Sequence, residues 1–174
     1  HNYSDDFKNK LTESEQFELS KSLMKKLGFN FSKGRIDKSI HPFCGGSTDD
    51  VRITTRFEDN ILETLSDLFH ETGHGVYEQN RPTDFLYEPI GQARSLSVHE
   101  SQSLFYENHI FKSKSYFQVF NKIFDGSKDM HQSFIEHYHT VRLNPIRVSA
   151  DEFYYPIHVF IRYEIEKEIF NNKI

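Results

Sequence analysis

The chain has 174 residues, enough for one buried core, and its 26 acidic against 21 basic residues give a net charge of -5, which argues against nucleic acid or an anionic membrane surface as its main partner. One cysteine, Cys44, allows no internal disulfide and points to a reducing, cytoplasmic setting, and no apolar run approaches the roughly 18–20 residues of a membrane span. Seventeen phenylalanines and nine tyrosines are a heavy aromatic load for a mean hydropathy of -0.67, so some apolar surface is expected to need cover.

Thr12-Glu13-Ser14-Glu15 has the form of a capping box, and Phe17, Leu23, Met24 and Leu27 recur at helical spacing until Gly28. A first helix of about four turns is predicted there. Residues 29–48 are rich in Gly, Ser and Asp, and the alternating run Val51-Arg52-Ile53-Thr54-Thr55-Arg56-Phe57 predicts a short strand, with residues 40–44 as its candidate partner across Gly45-Gly46. Beyond it the chain reads as helical almost throughout, broken at Arg81-Pro82, Glu88-Pro89, Gly126 and Asn144-Pro145. The expected fold class is therefore mainly α, with a small β-hairpin or short sheet around residues 40–57, in one segment spanning 1–174.

Within the predicted helix 59–79, Ile61, Leu65, Leu68, Phe69, Thr72 and Val76 form an apolar stripe, opposite a face that carries Glu63, Asp67, His70 and His74. Gly73 and Gly75 inside it each cost about 1 kcal/mol against alanine, which implies close approach of another backbone or a ligand. If residues 91–111 are helical, Ala93, Leu96, Glu100, Leu104 and Phe111 share one face. A carboxylate in such a stripe must be neutralised, paired or metal-bound. The last segment, from Ala150, places Phe153, Ile157, Phe160, Ile161, Ile165 and Ile169 at helical spacing, with Pro156 near its start. Apolar side chains there, among them Phe160 and Phe170, are expected to be exposed or covered by a neighbouring chain.

His70-Glu71-Thr72-Gly73-His74 carries the chemistry. Positions i and i+4 lie on one helix face, so His70 and His74 can grip one metal ion while Glu71, about 100° around the axis, can reach an attacking water. Glu100, in His99-Glu100-Ser101-Gln102-Ser103, is the natural third ligand, with an ion pair to an arginine or lysine as the competing reading and Ser101, Ser103 and Glu107 as members of a polar network. A third histidine of the extended metzincin pattern is excluded, because Tyr77 and Asn80 stand where that pattern needs glycine and histidine. No acidic or histidine residue stands at ligand spacing from His109, His131, His137 and His139, and His158 reads as a surface or core residue.

These motifs and their order resemble the carboxypeptidase Taq family of zinc metallocarboxypeptidases. The matching segments are His41-Pro42-Phe43, Asp50-Val51-Arg52-Ile53-Thr54-Thr55-Arg56, the two histidine motifs above, and Ile146-Arg147-Val148-Ser149-Ala150-Asp151-Glu152 with Tyr155-Pro156. Family chains are longer at both ends, so the sequence reads as part of a larger catalytic domain without its N-terminal helical region and its C-terminal motif. Cys44 after the His-Pro-Phe triplet, and Phe153 and Tyr154, depart from the family pattern and leave the substrate pocket open.

The resemblance implies a hydrolase that releases C-terminal amino acids from peptides, with zinc, or cobalt or another divalent metal, held by His70, His74 and Glu100, and Glu71 as general base. Arg147 is the candidate for the substrate carboxylate, since guanidinium binds carboxylate bidentately, against a salt bridge to Asp151 or Glu152. His41 is the candidate to line the pocket, and Asp151 to orient a ligand histidine. A homodimer of the full-length protein is implied as well. Two other readings stand beside it: a non-catalytic remnant acting as a metal- or partner-binding helical module, and another zinc peptidase cutting internal bonds.

Overall fold

The computed structural model describes residues 7–8, 10–121, 128–147 and 150–172. The chain divides into two compact units, His1–Gly126 and Ser127–Ile174.

In the first unit, helix α1 (Glu13–Lys26) starts on the predicted capping box, with the Glu15 amide donating to Thr12 Oγ1 at 3.3 Å and the Thr12 amide to Glu15 Oε2 at 2.8 Å. It buries Leu23 and Met24 together with Gln16 and Ser20. Three strands follow: β1 (Gly34–Lys38), β2 (Phe43–Ser47) and β3 (Asp50–Thr55), in the order β1-β3-β2. β3 lies between an antiparallel β2, with Cys44 opposite Ile53, and a parallel β1, with Ile36 opposite Ile53. The hairpin therefore exists, but Gly45 and Gly46 lie inside β2 and the turn is at Thr48-Asp49. The sheet also begins earlier than residue 40, because β1 pairs with a strand that is not its neighbour in sequence.

Helix α2 (Ile61–Gln79) is the centre of this unit and packs on β2, β3, α1 and α3 (Leu96–Leu104). The Leu62 amide donates to the N-cap side chain of Asn60 at 2.9 Å, so the helix starts two residues later than its apolar spacing suggests. Burial extends well beyond one stripe: Leu62, Thr64, Glu71, Gly73 and Gly75 are buried with Ile61, Leu65, Leu68, Phe69 and Thr72. At its end Gln79 clamps the loop before β1, accepting from the Asn30 amide at 2.8 Å and donating to the Asn30 and Lys33 carbonyls.

Residues 80–95 hold only two 3-10 turns, Thr83–Phe85 and Pro89–Gly91, and helix begins at Leu96, where Ser95 caps it by accepting from the Val98 amide at 3.2 Å. The expected helix from 91 and its shared face are therefore corrected. Leu96 is 90% exposed, and Glu100 does not emerge from an apolar stripe. After Leu104 the helix widens to π geometry over Phe105–Phe111, then α4 (Lys114–Asn121) packs Tyr116 against Phe69 and Phe111, with ring centroids 4.7 and 5.6 Å away.

The second unit contains α5 (Lys128–His139) and α6 (Tyr155–Phe170), with Pro156 in the first turn of α6. No α6 residue is buried, and Phe160 and Phe170 are 63% and 85% exposed. The break expected at Gly126 lies outside the described residues, as do Val148 and Ser149. Among the described residues no helix is long and apolar enough to cross a membrane.

Candidate active site

Helices α2 and α3 bring His70, His74 and Glu100 together. Their donor atoms lie within 4.8 Å of one another, the one such group of three among the described residues. His70 Nε2 is 3.7 Å from Glu100 Oε1, and His74 Nε2 is 3.4 Å from Glu100 Oε2. The glycines explain the closeness of the helices. A Cβ on Gly73 would lie 2.7 Å from Ser103 Cα and 2.8 Å from the Gln102 carbonyl oxygen, and one on Gly75 would lie 2.6 Å from Ile53 Cδ1 and 2.9 Å from a Phe29 ring carbon. Backbone cannot retreat as a flexible side chain can. Gly73→Ala should therefore lower stability by about 1–3 kcal/mol in denaturant unfolding and weaken metal binding as α3 moves Glu100 away. An unchanged midpoint and unchanged metal affinity would contradict the close-packing account.

Glu71 sits beside this triangle, buried, with Oε2 lacking any hydrogen-bond partner. Burial pushes its carboxyl above the usual carboxylate range, Asp67 and Glu100 add to the rise, and His70 and His74 oppose it. With His74, His99 and Glu100 it lines a cleft of about 700 Å³, whose other wall is Pro42, Phe43, Cys44 and Leu96. Two imidazole nitrogens and one carboxylate, an open side toward a cleft and an orphaned buried carboxylate oxygen next to it suit a divalent metal of zinc type with a free coordination position.

The polar network holding these groups was only partly visible in sequence. His70 Nδ1 lies 2.9 Å from Glu107 Oε2, while Glu107 Oε1 accepts from Ser66 Oγ at 3.1 Å and faces Lys112 Nζ at 3.5 Å. Burial opposes ionisation of Glu107, yet its contacts with His70, Lys112 and Ser66 outweigh this and hold it below its ordinary range. The His70 ring is likewise disfavoured as a cation by burial, but Glu107, Glu71 and Glu100 raise its pKa overall. Contact with His74, and the charges of His70 and His74, hold Glu100 low against partial burial. His74 Nδ1 lies 2.6 Å from His99 Nδ1, and His99 Nε2 lies 2.7 Å from Glu78 Oε1. The His70 ring is thus oriented by Glu107, seven residues along the same helical segment as Glu100. Asp151 accepts from the Arg142, Phe153 and Tyr154 amides within the second unit.

The other sequence candidates have these surroundings. His41 is exposed, its carbonyl accepts from Ser39 Oγ at 2.7 Å, and the cleft wall starts one residue later at Pro42. Arg147, in the second unit, donates from Nη1 to the Tyr155 hydroxyl at 2.6 Å. Cys44, by contrast, joins the cleft. Burial first, then Glu71 and Glu78, push its thiol up to about 12. Since thiolate is the reacting form, alkylation of Cys44 by iodoacetamide at pH 8 in the metal-free chain should be at least ~10²-fold slower than that of an ordinary thiol. A normal rate would refute this environment.

The model of the family described as carboxypeptidase Taq (M32) metallopeptidase matches residues 1–174. The chain is 40% identical over 167 residues to carboxypeptidase 1 of Bacillus subtilis (strain 168), covering 91% of this chain and 33% of that protein. It is 35% identical to thermostable carboxypeptidase 1 of Thermus thermophilus, covering 87% and 31%. The solved structure of Trypanosoma cruzi metallocarboxypeptidase 1 superposes with a TM-score of 0.86 at 38% identity, over 96% of this chain and 35% of that one. The chain spans about a third of the length of the curated relatives it matches.

Proposed function

We propose, since this chain belongs to the carboxypeptidase Taq (M32) metallopeptidase family, that it carries the zinc centre of a carboxypeptidase that removes C-terminal amino acids from peptides. The observation that carries the reading is the convergence of His70, His74 and Glu100 beside Glu71, whose buried Oε2 has no protein partner. Zinc held by those three residues would supply Lewis-acid polarisation of the scissile carbonyl. Glu71 takes the proton of the attacking water and hands it to the leaving amine, a role suited to a carboxyl whose pKa burial has raised. Glu107 holds the His70 ring by its Nδ1, leaving Nε2 for the metal.

Arg147 and His41 are proposed to hold the substrate carboxylate and border the pocket, on the family motifs that contain them. Peptide substrates, a homodimer of the whole protein and a cytoplasmic setting belong to the same proposal. The test is metal analysis joined to a peptide assay in the full chain. One zinc per chain and release of free amino acid from peptides with a free C-terminus, but not from C-terminally amidated ones, supports it. Internal cleavage, or no zinc uptake, defeats it. The second reading, a metal-binding helical module without activity, draws on the chain's span of a third of its relatives, and would show as full zinc uptake without hydrolysis.

A further inference from the structure

We propose that His99 and Glu78 are positioning residues for His74, a two-step chain of hydrogen bonds that fixes which ring nitrogen of His74 is free for the metal. The proposal rests on the metal-centre reading above. It starts from a count of protons along a line of four groups. Glu78 Oε1 is 2.7 Å from His99 Nε2, His99 Nδ1 is 2.6 Å from His74 Nδ1, and His74 Nε2 is 3.4 Å from Glu100 Oε2. That makes three gaps, and two neutral imidazoles supply two N–H protons between them. A carboxylate only accepts, so Glu78 requires the hydrogen of His99 on Nε2. His99 Nδ1 is then an acceptor, and the short contact to it requires the hydrogen of His74 on Nδ1. The gap left without a proton is the longest, between His74 Nε2 and Glu100. A cation belongs there.

The anchor of this chain is fixed independently of the metal. Glu78 Oε2 pairs with Arg81 Nε at 3.2 Å, and Arg81 Nη2 donates to Thr48 Oγ1, in the β2–β3 turn, at 3.0 Å. Tyr77 packs edge-on against the His99 ring, with centroids 4.9 Å apart. His70 and His74 are thus held in chemically different ways. His70 meets an anion directly through Glu107, while His74 meets a neutral imidazole that passes the demand of Glu78 along. A direct carboxylate would draw the Nδ1 proton of His74 more strongly, so the relay sets the tautomer with less added basicity.

Two variants of the full chain test this. His99→Phe keeps a ring against Tyr77 and His74 but removes the acceptor. Glu78→Gln keeps an oxygen that can accept from His99 and removes the charge that compels it to. In the wild type, nitrogen-15 spectra should show coupling between His74 Nδ1 and His99 Nδ1 across their hydrogen bond in the metal-free chain. With zinc bound, the proton should sit on His74 Nδ1 and on His99 Nε2. Zinc affinity by chelator competition should fall about 10- to 100-fold in H99F and by less in E78Q. Absence of the coupling, a proton on His99 Nδ1 in the zinc-loaded chain, or wild-type zinc affinity in both variants overturns the proposal. Failure of the wild-type chain to bind zinc overturns the metal-centre reading with it, whereas normal wild-type binding with unchanged variants overturns this proposal alone.

Discussion

Glu71→Gln should leave zinc bound and lower peptide hydrolysis by at least ~10²-fold, the usual scale of a general base. The substitution keeps the length and shape of the side chain, and Glu71 is not among the three converging donors His70, His74 and Glu100. Its Oε2 is buried without a partner, so the amide that replaces it breaks no hydrogen bond of that atom. What disappears is basicity. Because burial raises the Glu71 pKa, the ionised base is lost as pH falls through that raised value, so wild-type activity should carry an acidic limb that E71Q lacks. The measurement is turnover against pH at saturating zinc, with bound zinc counted in the same samples. Near-normal turnover of E71Q under those conditions would assign proton transfer to another residue, even with the metal site intact.

The convergence of His70 and His74 was legible because its signal is local. His70 and His74 are one turn apart on a helix that the apolar spacing of Ile61, Leu65, Leu68 and Phe69 reveals, and Gly73 and Gly75 announce a close neighbour that proves to be α3 on one side and Ile53 with Phe29 on the other. The capping box of α1 is equally local. What escaped depends on contacts between distant segments. β1 is five residues long and pairs in parallel with a strand beyond its neighbour, and nothing in Gly34–Lys38 states that partner. Apolar spacing misplaced the start of α3 because Leu96, which fits a core stripe by type, instead faces the open cleft. His99 and Glu107 read as ordinary polar residues until α3 and the π-helical turns after it are laid against α2. In α6 the spaced isoleucines predicted the helix, and the exposure expected of Phe160 and Phe170 is found at 63% and 85%.

Glu100→Gln should give the opposite pattern to E71Q, loosening the metal itself by more than ~100-fold, beyond what loss of an outer partner costs. Of the three donors Glu100 alone carries a negative charge, and a dication held by two neutral imidazoles and an amide oxygen loses that compensation. The carboxylate is also suited to the role before metal arrives: its contact with His74 holds its pKa below the ordinary range, so at neutral pH it is ionised and competes poorly for protons. Chelator competition on the full chain measures the effect directly, and restoring turnover of E100Q by excess zinc would show that the base, Glu71, is still in place. If E100Q binds zinc as tightly as the wild type, Glu100 is an ion-pair partner of His70 and His74 and not a ligand, and the third donor must be sought elsewhere along the cleft. The two glutamates, Glu71 on α2 and Glu100 on α3, would then have to be reassigned together, because a base at Glu71 has work to do only where the metal sits between His70, His74 and a third group within reach.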